Sequence, residues 1–550
     1  MTAIRHFAAR AAITLFTMLP MTTVAVAQET DYSAWGTADG ADGSAAHPYV
    51  ITTTEGLDQL ATEVNNGNRF SDTYFVLGAD ITYSHEYDWD DNESAENHFT
   101  AIGLDRDFSG TFDGQGHTIS GIRIYSTGNN QGLFGINYGV VRNVILADAR
   151  IVGNFQIGGI AGANYGTIEN CYVAANVIIA AVGEVRSNHG GIAGYNNGTI
   201  DGCTSAVTIS QGSIGGGVAA YNEGTVSNCR AVGVTFYEVS SYGAIVYLSS
   251  SILSHNYYYG CNLVLNGITY SNDFSEVTEN DGAVQTRGIP LLDGAGNESL
   301  IADYSSRVNE FGVVITENYT LAGRTLYKDG SWNTICLPFT LPYTTVAQKF
   351  ASPASIMTLA STTFINSTLT LNFEEVPSNG RLEAGKPYIV RWERANDYEN
   401  DNLHNLVNPT FEMLEISTAT NPTTTDYVDF IGTTSPVALA ANDRTVLYLG
   451  ADNTLYYPSA NMTIGSFRGY FRLKGIEAGD PASGGDIKAF QLNFDGMDQI
   501  PTLVSFPSES EAPGLWYDLS GRKLHSSPLD ARSSTLPGVY IHNGKKVVIK

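Results

Sequence analysis

The sequence predicts an all-β protein: a right-handed parallel β-helix, followed by an antiparallel β-sandwich domain and a short C-terminal β-module. Three observations carry this prediction. Stretches at 132–144, 159–171, 191–203 and 217–229 align without gaps, and their starts lie 27, 32 and 26 residues apart. Within them apolar residues come in runs of two to four between Gly and Asn, too short for helices. The 550 residues include 57 Gly and 31 Tyr but few Lys, a composition of strands and tight turns.

Composition also bounds function. With 29 Lys+Arg against 56 Asp+Glu the net charge is −27, which argues against nucleic acid as a partner, because phosphate binding needs clustered cations. A hydrophobic content of 43% is ample for a buried core. Residues 1–27 read as a signal peptide. Arg5 and Arg10 precede an apolar run to Pro20, and Ala25-Val26-Ala27 forms a small-residue cleavage site. No later stretch holds the ~18 continuous apolar residues of a spanning helix, so the mature chain is expected to lack a transmembrane segment. The expected address is secreted or cell surface.

The cap and repeats occupy 48–285. A helix at 54–66, capped by Thr54, and a strand at 74–77 precede the repeats and would cover the open end of a stack. A repeat too small to close its own core must stack on its neighbours. Asn137, Asn164, Asn196 and Asn222 would then fall above one another and bond through their amides. Asn143, Asn170, Gly202 and Asn228 mark a corner with positive φ, because only Asn and Gly enter that region cheaply. Val144, Cys171, Cys203 and Cys229 mark a small, inward, apolar position, with Cys261 at a near-equivalent one. Five cysteines, odd in number and at repeat positions, are expected to be buried thiols.

The repeats resemble the GLUG motif of large exported bacterial surface proteins, with Gly-Leu-Phe-Gly at 132–135 and Gly-Thr-Ile-Glu-Asn-Cys at 166–171. The stretch 108–122, Phe-Ser-Gly-Thr-Phe-Asp-Gly-Gln-Gly-His-Thr-Ile-Ser-Gly-Ile, looks like the segment that precedes the motif in such proteins. The resemblance covers roughly 48–265 and implies an architecture, not an activity.

Beyond the repeats, 286–304 reads as a linker around Pro290 and Gly294-Ala295-Gly296-Asn297. Lys first occurs at Lys328. From 305 to 497, short Thr-, Tyr- and Phe-rich strands separated by turns suggest the antiparallel sandwich. The segments 322–339 and 384–390 resemble a module of surface proteins from Bacteroides and Prevotella relatives. A second linker at 498–513 leads to 514–550, which resembles the C-terminal sorting segment of type IX secretion in Bacteroidetes.

Catalytic signatures are scarce. The chain has no GxSxG, no HExxH and no CxxC. Hydrolases on β-helices resemble one another in paired Asp residues and a Gly-His-Gly, to which 188–191 and 116–118 are the nearest approaches. Arg123, Arg142, Arg150 and Arg186 match the base of a β-helix lyase by residue type alone. Asp88, Asp90 and Asn92 alternate as calcium ligands do, which makes calcium the one candidate cofactor. Trp89, Tyr257 and Tyr258 are candidates for stacking on sugar rings. These observations point to a non-catalytic modular surface or secreted protein, serving adhesion or binding a glycan or host surface protein through the β-helix. The alternative is a polysaccharide lyase or glycoside hydrolase on the same scaffold.

Overall fold

A computed structural model of the chain describes residues 33–35, 40–84, 99–182, 187–271, 283–309, 312–350, 354–394, 404–450, 453–479, 486–487, 489–494 and 500–503, with four short strands beyond 515. Short parallel strands from 49 to 285 wind into a β-solenoid with five sheets. The first sheet runs over eight strands, from Tyr49–Ile51 through Thr111–Asp113, Val140–Arg142, Thr167–Glu169, Thr199–Asp201 and Thr225–Ser227 to Ile252–Ser254. A second eight-stranded sheet runs from Ile81–Thr82 to Val284–Gln285, and a third begins at Arg123–Tyr125. The fourth is short, from Ile157–Gly158 to Ser241–Gly243, and the fifth runs from Ile102–Phe108 to Val246–Ser249.

Sequence repeat and structural register coincide. Asn137 pairs with Asn164, Asn164 with Asn196, and Asn196 with Asn222. The three-residue strands of the first sheet point their middle residue inward, so Phe112, Val141, Ile168, Ile200 and Val226 stack fully buried. Each such side chain contributes roughly 1.5–3 kcal/mol. The corner after this sheet is left-handed, with φ of 54° at Asn143, 52° at Asn170, 63° at Gly202 and 52° at Asn228. Gly139, Gly166, Gly198 and Gly224 form a glycine column. A Cβ on any of them would overlap the carbonyl of the glycine one coil back, the first meeting Gly110. Coils can lie this close only without side chains there.

Helix α1, Thr54–Asn65, covers the N-terminal end, burying Leu57, Leu60, Ala61 and Val64. Its cap is Thr53 rather than Thr54, the Thr53 hydroxyl accepting from the Gly56 amide at 3.2 Å. Trp35 packs there edge-on to Phe75 at 5.0 Å. At the far end, Asn262–Leu265 turns through Asn266 and Gly267 and pairs antiparallel with Ile268–Ser271, which ends the third sheet.

Residues 286–304 are not a linker. Ile289–Leu292 is a strand parallel to Glu317–Ala322, and Asn297–Ser305 is helix α2. Ile289, Leu291, Leu300 and Ile301 are buried in a core that also takes in Tyr172 and Val232 of the solenoid. Pro290 and the glycines gave the segment the composition of a linker, yet its apolar residues have solenoid surface to cover. Further on, a six-stranded sheet and a five-stranded sheet share a core of Met357, Leu369, Phe373, Phe430, Leu447 and Phe471. The six-stranded sheet is mixed rather than antiparallel, because Thr368–Glu375 runs parallel to Ala489–Phe494. The last strands, Trp516–Asp518, Lys523–Leu524, Gly538–His542 and Lys545–Ile549, pair antiparallel.

Candidate functional site

Most residues that repeat face inward. The Asn137 amide donates to Asn164 Oδ1 at 2.8 Å, Asn164 to Asn196 at 2.7 Å, and Asn196 to Asn222 at 2.6 Å. Asn222 ends the series on Ser249 Oγ at 3.0 Å. All four asparagines are fully buried, so the ladder holds coils together and presents nothing to a ligand. Cys171, Cys203 and Cys229 are likewise free, buried thiols, with the Cys171 amide 3.4 Å from Cys203 Sγ. Burial pushes the thiols of Cys171 and Cys229 well above their ordinary pKa. Cys261 is not next in this column. Asn256 takes that place, its Oδ1 accepting from the Cys229 amide at 2.9 Å, and Cys261 continues the Val234 column instead.

The proposed sugar-stacking pair Tyr257 and Tyr258 is withdrawn from solvent, each 6% exposed. Tyr257 clusters with Leu292 and Ala322, and Tyr258 lies in the solenoid core. The strand carrying them belongs to the second sheet, which the segment after the solenoid covers. Asp88, Trp89, Asp90 and Asn92 lie outside the described residues, as does Arg186. Among the described residues no group of three His, Cys, Asp or Glu side chains is placed to hold a metal. Arg142 lies between Asp113, at 2.8 Å, and Glu169, at 3.7 Å, and Arg123 is bonded to Asp148. His189, the centre of the stretch most like Gly-His-Gly, is fully buried and, among the described residues, hydrogen-bonds through neither ring nitrogen.

An outward feature was missed by sequence reasoning. Tyr138, Tyr165, Tyr195 and Tyr221 form a continuous strip along the fifth sheet. Ring centroids are 4.7, 5.7 and 5.8 Å apart, the first and last pairs stacked within 10° and 14° of parallel. Tyr138 is 50% and Tyr165 38% exposed. Tyr138 and Tyr165 follow the buried Asn of their coils, whereas Tyr195 and Tyr221 precede it. In the last two coils the position after Asn is taken by Asn197 and Glu223. The Tyr195 hydroxyl donates to Glu223 Oε2 at 2.5 Å and accepts from Asn197 Nδ2 at 3.2 Å. Partial burial, and then this bond to the carboxylate, push the Tyr195 pKa up to about 12, so the phenol stays protonated. A Tyr beside the Asn in every repeat was the available signal, and its change of side concealed that the rings meet.

Immediately after the glycine column, Thr167, Thr199 and Thr225 stack on the outer side of the first sheet. Their neighbours Ile168, Ile200 and Val226 point inward. The strip turns ring faces toward one another, which leaves edges and hydroxyl ends for a ligand. Its chemistry is hydrogen bonding and apolar edge contact on a preordered surface, with a carboxylate at one end.

Parts of this chain are similar to known proteins. Residues 153–178 match the family described as the GLUG motif, so this is a GLUG-containing chain. A stretch of 154 residues is 30% identical to halomucin of Haloquadratum walsbyi, covering 25% of this chain and 2% of halomucin. The chain therefore spans a small fraction of that relative. Among solved structures, a Bacteroides ovatus protein provisionally described as an immunoglobulin A1 protease aligns with a TM-score of 0.31 at 19% identity, over 45% of this chain and 86% of its own. No helix of the described residues is long and apolar enough to cross a membrane.

Proposed function

We propose that this chain is an exported, non-catalytic protein of the cell surface or its surroundings, which binds glycan through the solenoid. The tyrosine strip carries the reading: four rings in contact, the first and last pairs aligned by the backbone register, half-exposed at one end, with amide and carboxylate groups beside them. Rings already fixed by their neighbours lose little freedom when a ligand lands on them. The GLUG motif and the stretch shared with halomucin support a surface protein. Residues 1–27 support export, and the tail at 514–550 supports a sorting role in a Bacteroidetes-type host. Calcium at Asp88, Asp90 and Asn92 belongs to the same proposal.

A glycan array probed with the full chain, with and without a chelator, tests this. Binding that falls about tenfold or more in Tyr165→Ala is expected, as for an anchoring aromatic contact. New reducing ends or unsaturated products appearing during incubation would overturn the non-catalytic part and favour a lyase or hydrolase.

A further inference from the structure

The strip repeats along the solenoid axis, and so does the row beside it. Each coil from 159 to 229 supplies one tyrosine and one outward threonine, Tyr165 with Thr167, Tyr195 with Thr199, and Tyr221 with Thr225. Successive coils are spaced by the strand separation, about 4.8 Å. A ligand using several coils at once must repeat in the same direction at a similar step. A linear sugar chain does this, one pyranose to a coil, whereas a folded protein surface or a monosaccharide does not.

Charge narrows the class. Lysine is absent from residues 1–327, and the chain as a whole carries −27. Of the six arginines described between residues 49 and 285, four are already engaged. Arg69 bonds Asp107 at 2.7 Å, Arg142 lies between Asp113 and Glu169, Arg123 bonds Asp148, and Arg230 is buried. The ionised group on the strip itself is Glu223, an anion. A polyanion would meet like charge here without a paired cation to offset it. The rows offer hydroxyls, amides and ring edges, which match the hydroxyls and axial hydrogens of an uncharged sugar.

We infer that the tyrosine row of coils 132–229, with the threonine row of coils 159–229 beside it, binds an uncharged linear polysaccharide lying lengthwise along the solenoid, one sugar unit to a coil. This rests on the glycan-binding reading of the same face and names its ligand class and direction.

The test uses the full chain and calorimetric titration with neutral cello-, xylo- and chito-oligosaccharides of increasing length, beside oligogalacturonates of the same lengths. Affinity for one neutral series should rise with length until about four units, one for each coil of the strip at about 4.8 Å each, and then level off. Raising salt from about 0.05 to about 0.5 M should change Kd less than about twofold, because no ion pair is formed. Tyr138→Phe with Tyr165→Phe keeps the stacked rings and removes two hydroxyls, and should weaken binding several-fold. Tyr237→Ala, an exposed tyrosine on the third sheet, should leave it unchanged. Tighter, salt-sensitive binding of oligogalacturonate that still depends on Tyr165 would overturn this inference while leaving the strip as a glycan site. Affinity independent of length would also overturn it. Neutral-glycan binding indifferent to all strip variants would overturn the reading beneath it.

Discussion

His189 occupies a position that Ile157 fills one coil earlier and Gly215 one coil later, in the solenoid interior. Burial alone holds its imidazole down to about 4. The unfolded chain, with an ordinary imidazole near 6.5, binds a proton that the folded chain refuses until about pH 4. Stability from this residue is thus complete above about 6.5 and is lost as pH falls through that window, by about 3 kcal/mol in all. Thermal unfolding of wild type should drop more steeply between pH 6.5 and 4 than that of His189→Leu. Equal slopes would mean the ring finds a partner on protonation. Gly202 is constrained in a different way. Its backbone does not require glycine, since Asn143, Asn170 and Asn228 adopt the same left-handed corner. Space favours it, because a Cβ there would lie 3.2 Å from Ala295 Cβ, so the segment crossing the corner would have to give by a few tenths of an ångström. Gly202→Asn should leave the solenoid intact and loosen residues 289–305 at a cost of about 1–3 kcal/mol, seen as faster hydrogen exchange confined to that segment.

At the scale of elements, the ladders explain what the sequence could show. The buried asparagines, the glycine column and the inward aliphatics each need one residue type at one place in every coil, so they recur at fixed offsets and make the register legible. The tyrosine strip needs only that rings meet outside, which two different positions satisfy. It therefore leaves no fixed offset. Tyr257 failed as a ligand candidate for a related reason, since a strand of alternating residues gives no sign that a later segment will cover its outer face, while Tyr258 is the inward residue of the same strand. Within the asparagine ladder, interior members are worth more than terminal ones. Asn196 donates to Asn222 and to Gly198, and accepts from Asn164. Asn196→Ala would strand buried partners on both neighbouring coils and should cost about 2–4 kcal/mol, read by denaturant unfolding. Asn222→Ser, next to the ladder's serine end, should cost less.

Across the whole molecule, Arg230 decides how the solenoid meets the segment after it. Its guanidinium is fully buried, donating to Thr204 Oγ1 at 2.6 Å, to the Pro290 carbonyl and Asn297 Oδ1 at 2.8 Å each, and to the Gly296 carbonyl. Asn297 in turn donates to the Thr434 carbonyl at 2.8 Å. Around this pin, Tyr172 donates to Asp303 at 2.6 Å and Asp293 pairs with Arg468. Arg230→Met should remove at least about 3 kcal/mol by leaving several carbonyls unsatisfied, and should split one unfolding transition into two. The repeat alignment could not reveal this, because Arg230 stands where Tyr172 and Thr204 stand in earlier coils, and nothing in the residue type says that the column ends against another core.

Helix α1 and Trp35 close the N-terminal end, and a reversing strand ends the third sheet at the other, while the coils between repeat the same contacts. Length is thus an adjustable dimension of this protein. A tandem duplication of residues 191–216 would insert one more coil with its glycine, its asparagine and its tyrosine already in register. Chains of this build can gain or shed reach by copying a single short stretch of gene, without inventing a new residue.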